Sequence, residues 1–175
     1  MKVLIQNDVI KKLDYCITLY YNLPKYQLRK LQLTMNRAAR LIKHVSPRNR
    51  ITPVLIALHW LPIKPRILYK ICVLTHQVMI TDEPVYLRNL LHPFAVGANV
   101  VVRHAADKYC LNEPRCYTDL GFRAFQVCAP RLYNRLPVQV KASNSIALFK
   151  KALKTFLFRD AYDLSDMTVT DHYVV

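Results

Sequence analysis

Glycine is nearly absent from this 175-residue sequence, which has only Gly97 and Gly121. Turn-rich β folds draw on glycine for left-handed positions, so its scarcity beside long periodic runs favours helices. Two glycines cannot build a phosphate-cradling loop either. Carboxylates are sparse: nine Asp and two Glu stand against 26 Lys and Arg. No Asp-Asp or Asp-x-Asp occurs, whereas a two-metal polymerase or nuclease needs clustered carboxylates to hold cations about 4 Å apart. Asp163 and Asp166 do fall three residues apart, but in the terminal tail. His-Glu-x-x-His is missing, so there is no zinc-protease signature. The five cysteines (Cys16, Cys72, Cys110, Cys116, Cys128) are scattered and include no Cys-x-x-Cys. That argues against a disulfide framework and fits a reducing compartment. The apolar start is cut off by Asn7 and Asp8, too early for a signal peptide. No apolar run approaches the ~18 residues of a membrane span.

What the sequence does contain is apolar residues and positive charge. It is 53% hydrophobic and 21% charged, a balance that folds. The net charge of +15 points to a polyanionic partner, nucleic acid before an anionic membrane. All 26 basic residues lie at or before Arg159, against seven acidic ones in that span. From Asp160 onward there are four aspartates and no Lys or Arg. This tail reads as a solvated terminus, with shielding of a basic surface as the alternative.

Taken in order, Asn7 or Asp8 can cap a helix reaching about Asn22 and stopped by Pro24. Val9, Leu13, Cys16 or Ile17, and Tyr20 would share its inner face. Residues 1–6 would extend that helix upstream without a cap, as in a chain entered part-way through an element. The strongest pattern runs from Pro24 to Val45. Leu28, Leu31, Met35, Ala38, Ile42 and Val45 step by three and four, an apolar stripe over about a third of the helical wheel. Opposite lie Lys25, Arg29, Arg40 and Lys43, with Lys30 and Arg37 at the flank. No acidic residue interrupts the cationic stripe. A merely solvated face usually mixes signs, so a phosphate-facing surface is favoured.

Residues 46–50 (SPRNR) form a basic loop. Thr52 then caps a short helix with Pro53 at its first position, and Val54, Leu55, Leu58 and Trp60 supply its apolar side. Pro65 opens a helix to about Met79, with Ile67, Leu68, Ile71, Leu74, Thr75 and Val78 inward and Lys64, Arg66 and Lys70 outward. Asp82 and Pro84 start another through Leu91. Beyond Pro93 the run Val100-Val101-Val102 and the segments 108–111 and 115–118 suggest a small β-hairpin. Residues 121–134 read as helical up to Pro130, followed by a second short helix or turn that Leu136-Pro137 stops. Gly121 permits a turn or helix start. Phe125, Leu132 and Tyr133 would pack on the last helix, and Arg123 would pair with a carboxylate or carbonyl. Ser143, Asn144 or Ser145 caps that last helix. Ile146, Phe149, Leu153 and Phe156 face inward there, and Lys150, Lys151 and Lys154 outward. The expected fold class is mainly α, a helical bundle with a small hairpin around residues 99–118.

Some constellations invite chemistry but have bland readings. His59-Trp60 could stack on bases, yet a core Trp with a partly buried His accounts for it better. His104, Cys110 and Cys116 match no zinc spacing and lack a fourth ligand. Cys128 lies near Arg123 and Arg131, which could activate a thiol, without further support for a thiol enzyme.

A family resemblance enters on many short matches held in order. They are Leu13-Asp14-Tyr15-Cys16, Leu19-Tyr20, Leu23-Pro24, Leu31-Gln32, residues 36–42 (NRAARLI), 51–55 (ITPVL) and 59–63 (HWLPI), then Arg66-Ile67 and Tyr69-Lys70. They resume at Gly121-x-Arg123-Ala124-Phe125, residues 130–137 (PRLYNRLP), Phe149-Lys150 and Leu153-Lys154. Together they span about residues 8–158. This resembles the segment after the polymerase core of non-LTR (LINE-type, jockey-like) retrotransposon reverse transcriptases. Tyr133 stands where that family often has Trp, and residues 95–114 match poorly. The resemblance implies a thumb-like helical region over residues 1–93. It also implies a C-terminal region over 94–175 that helps hold RNA template and target DNA. The family's catalytic aspartates would lie upstream of Met1, so no catalytic residue is carried onto this chain. A truncated element copy, a gene-model fragment and a domesticated remnant all fit.

Charge and resemblance together lead to the expectation of a non-catalytic nucleic-acid-binding fragment. It would hold RNA or DNA phosphates through Lys25, Arg29, Arg37, Arg40, Lys43, Arg48, Arg50, Arg66 and Lys70, with little sequence preference. No metal or other cofactor and no membrane is implied. A reverse transcriptase polymerase core is a further possible partner, and the resemblance implies an intracellular location, nucleus or cytoplasm. The alternative is a structural remnant without independent activity, its apolar faces shaped to pack on a missing core.

Overall fold

A computed structural model describes residues 6–93 and 109–162. Among them are eight α-helices: α1 (Lys11–Asp14), α2 (Lys25–Lys43), α3 (Thr52–Ala57), α4 (Ile63–Thr81), α5 (Val85–Arg88), α6 (Phe125–Asn134), α7 (Val138–Lys141) and α8 (Ile146–Tyr162). The fold is mainly α, as the periodicity indicates. The chain forms two compact units. One runs to Ile67 and takes in the chain from Leu157; the other is Leu68–Phe156.

The first unit is built around α2. Leu28, Met35, Ala38 and Ala39 are buried, while Leu31, Ile42 and Val45 from the expected stripe are half-buried. Good helix formers fill most of its positions. Pro24 precedes the first turn, and its carbonyl accepts the Gln27 and Leu28 N–H groups at 3.0 and 3.2 Å. The helix packs on α3 and on the π-helical turn Gln6–Ile10.

Before α2 the expected single helix is broken. Tyr15 is extended and Cys16 is left-handed (φ 49°, ψ 33°), and a 3-10 turn, Ile17–Tyr20, follows. Breaking the helix resets its register. Ile10, Ile17 and Tyr21 are the buried residues, instead of a face led by Val9, Leu13 and Tyr20.

The scarcity of glycine shows in the caps. His44 ends α2 at φ 52°, with the Val45 N–H donating to the Arg40 carbonyl at 3.1 Å. His59 closes the turn after α3 at φ 52°, with the Trp60 N–H donating to the Leu55 carbonyl at 3.0 Å. Both are left-handed helix ends of the kind glycine usually fills. Asn22 and Asp82 also have positive φ. Thr52 does not cap α3: Ile51 precedes it, no side chain caps the helix, and Pro53 lies inside the first turn.

Trp60 is buried and its carbonyl accepts the Tyr162 hydroxyl at 2.6 Å. His59 is exposed, its ring tilted toward Phe158 at 6.0 Å between centroids. Asp160 and Tyr162 thus belong to the last turns of α8, and the acidic tail beyond Tyr162 lies outside the described residues.

In the second unit α4 buries Leu68, Ile71, Thr75 and Val78 as expected, together with Cys72 and His76. The His76 ring stacks on Phe149 of α8 (3.7 Å, 8°), and its Nδ1 lies 2.8 Å from the Tyr133 hydroxyl of α6. α6 is continuous through Pro130, where the sequence suggested a break. An interior proline costs about 3 kcal/mol, but Val127, Cys128, Ala129, Leu132 and Tyr133 around it are all buried, and that packing outweighs the local cost.

The Ser145 hydroxyl accepts the Leu148 N–H at the start of α8, and Phe149, Leu153 and Leu157 are buried along the helix. Gly121 begins a 3-10 turn. A Cβ there would collide with Cys116 Sγ and come within 2.8 Å of Thr118 Oγ1.

Part of the expected hairpin, residues 99–108, lies outside the described residues. From 109 to 118 the structure has a single antiparallel bridge, Leu111 to Pro93. Asn134 takes the place of a partner strand for Leu111. Its Oδ1 accepts the Leu111 N–H at 2.9 Å and its Nδ2 donates to the Leu111 carbonyl at 2.8 Å. Lys141 is buried and donates to the Asn134 carbonyl at 3.4 Å, at the negative end of α6.

Candidate nucleic-acid interface

α2 and the loop after it carry seven of the nine sequence-nominated cations. Lys25, Arg29, Arg37, Lys43, Arg48 and Arg50 are exposed, with Lys30 exposed beside them. Arg40 is half-buried and donates from Nη2 to the Asn49 carbonyl at 3.1 Å. Its Nε is buried without a hydrogen-bond partner. Arg40 therefore ties the loop to the helix end and places Arg48 and Arg50, on either side of Asn49, near the last turn of α2. The Asn49 N–H closes a turn onto the Ser46 carbonyl at 3.1 Å.

Two nominated residues behave differently. Arg66 forms a two-point ion pair with Asp14, Nε to Oδ1 at 2.6 Å and Nη2 to Oδ2 at 2.9 Å, with both side chains mostly covered. Its guanidinium fork is already taken by a carboxylate, so Arg66 holds the first unit together and is not available to a phosphate. The sequence placed Asp14 on a different helix and gave no hint of this pairing. Lys70 is half-buried on the part of α4 that belongs to the second unit.

The stretch of sequence around these cations is one-signed. From Tyr15 to Thr81 the sequence has eleven Lys and Arg and no Asp or Glu. Lys25 sits at the first residue of α2, where the helix dipole disfavours a cation, while Arg40 and Lys43 in the last turn are favoured. Large apolar side chains share the exposed face: Tyr26 is 61% exposed, Leu33 45% and Leu41 60%.

Two of the cysteines elsewhere, Cys72 and Cys128, are buried. Burial pushes the Cys128 thiol up to about 12, with a backbone hydrogen bond acting weakly the other way, so Arg123 and Arg131 do not activate it. Arg131 instead lies over the Phe122 ring at 4.8 Å. Burial and the neighbouring Cys128 also push Cys72 up. Among the described residues no three His, Cys, Asp or Glu side chains gather as a metal site, and His104 lies outside them. No described helix is long and apolar enough to cross a membrane. No protein-family model, curated protein or solved structure matches this chain.

Proposed function

We propose that this chain is a non-catalytic nucleic-acid-binding module of reverse-transcriptase origin, which grips the RNA or DNA backbone with α2 and the loop 46–50. The observation that carries the reading is the acid-free span from Tyr15 to Thr81, with six of its nominated cations exposed on one helix and the adjoining loop. The origin rests on the ordered sequence resemblance. Lys25, Arg29, Arg37, Lys43, Arg48 and Arg50 contact phosphates, Arg40 positions the loop, and Arg66 serves the fold.

About six phosphate contacts make affinity fall roughly a thousandfold between 50 and 200 mM salt. Salt titrations on RNA, duplex DNA and an RNA–DNA hybrid test this, and a flat response would sink the proposal. Arg29→Ala should weaken binding and reduce the salt slope by about one. Arg66→Ala should leave the slope unchanged and instead lower stability by about 1–3 kcal/mol, the scale of a lost charged hydrogen-bond pair.

The second reading, a remnant shaped to pack on a missing core, draws on exposed apolar side chains such as Tyr86 at 70% and Leu120 at 74%. It calls for self-association and a broad melt. A monomeric chain that melts cooperatively speaks against it.

A further inference from the structure

Phosphate contacts explain the cations on α2 but not the apolar side chains set among them. At about 100° per residue, Tyr26 and Leu33 lie in one narrow arc of the exposed face. Arg29 and Arg40 border that arc on one side, Lys30 and Arg37 on the other. Tyr26 is 61% exposed and Leu33 45%, about 10 Å apart along the axis. Both project away from the buried residues of α2, Leu28, Met35, Ala38 and Ala39.

Two polar side chains of the same helix lie beside the Tyr26 ring. The Lys30 Nζ lies 6.0 Å from its centroid, and the Gln27 Nε2 donates to its hydroxyl at 3.2 Å.

We infer that this arc is a stacking platform for unpaired bases, and that the module's preferred ligand is single-stranded nucleic acid. The inference rests on the nucleic-acid reading above and sharpens it. A duplex presents phosphates to the cations but keeps its base faces stacked inside, so Tyr26 and Leu33 would stay wet. A single strand can lay one base on the Tyr26 ring and bring another against Leu33, with its phosphates along Arg29 on one border and Lys30 and Arg37 on the other. An anionic membrane fits less well. One Tyr and one Leu between cations offer little apolar area to insert, and insertion scales with that area.

The test compares the wild-type chain, Tyr26→Ala and Tyr26→Phe by fluorescence anisotropy. The probes are labelled single-stranded RNA and DNA of about 16 nucleotides, duplexes of the same sequence, and vesicles of phosphatidylserine and phosphatidylcholine. The wild type should bind single strands more tightly than duplexes at equal salt. Tyr26→Ala should weaken single-strand binding about tenfold, the scale of one lost stacked base, and leave duplex binding unchanged. Tyr26→Phe should bind as the wild type does. Tyr26 is exposed, so circular dichroism should show all three folded alike.

Equal loss on single strands and duplexes, no loss with Tyr26→Ala, or no preference for single strands would each overturn the platform. If salt-dependent binding that needs Arg29 persists in those cases, the broader function stands. Absence of salt-dependent binding to any nucleic acid overturns both. Tighter association with the vesicles than with any single strand would make the arc a membrane contact and overturn the inference.

Discussion

Single residues here adopt backbone conformations that their side chains disfavour. His44 ends α2 in the left-handed region, where a Cβ costs roughly 1–2 kcal/mol that glycine avoids. Glycine returns part of this as extra freedom in the unfolded chain. His44→Gly should therefore raise stability by about 0.5–1 kcal/mol in urea unfolding. No change would mean that His44 makes a compensating contact. His76 is constrained by its surroundings instead. It is 2% exposed, stacked on Phe149 and next to the Tyr133 hydroxyl, and burial lowers its pKa from 6.5. The folded state resists a proton that the unfolded chain accepts. The stability His76 confers is therefore fully present above about pH 6.5 and is lost as pH falls through the depressed folded value. The loss is at most about 1.4 kcal/mol per pH unit. His76→Gln should flatten this dependence. Unfolding free energies at pH 7.5 and 5.5 check it: the wild type should lose more stability than the variant between them.

Among the elements, α2 sets its own stability against its proposed ligand. Lys25 stands at the positive end of the helix dipole, where a carboxylate would be favoured. Lys25→Glu should raise stability by about 1 kcal/mol, the combined effect of removing an adverse charge and adding a favourable one. The same change should weaken nucleic-acid binding and lower the salt slope by at least about one. A gain in stability with unchanged affinity would mark Lys25 as an ordinary solvated side chain. Helix α2 was the most legible element in the sequence, because three-and-four spacing sets a buried stripe directly and leaves the cations opposite. The break at Tyr15–Cys16 was not legible, because a cysteine carries no left-handed signal of its own. Nor was the passage of α6 through Pro130, where local propensity loses to a buried flank. Cys72 and His76 were missed because an apolar count passes over thiols and imidazoles that pack as core. Within the site, exposure followed from position on the helical wheel. The engagement of Arg66 by Asp14 spans 52 positions, and no local pattern encodes such a pair. The tie from Arg40 to Asn49 depends on loop geometry that spacing does not specify.

At the scale of the whole molecule, a net charge of +15 makes salt act in two opposing directions. Self-repulsion disfavours the compact state, so raising salt from 50 to 200 mM should screen it and raise the Tm of the free chain. Ligand binding responds the other way. At 50 mM salt, nucleic acid at a hundred times its Kd should stabilise the fold by about 2.7 kcal/mol. For a chain of this length that corresponds to a Tm rise of about 5–10 °C. At 200 mM salt the same ligand concentration should give almost no rise, because roughly six phosphate contacts weaken binding about a thousandfold. Differential scanning fluorimetry with and without a short single strand, at both salt concentrations, yields the four values needed. The free chain should melt higher at 200 mM, and the loaded chain should gain most at 50 mM. A chain whose positive face is only solvated would keep the first effect and lack the second at either salt. That outcome would separate self-repulsion from binding and remove the role proposed for α2.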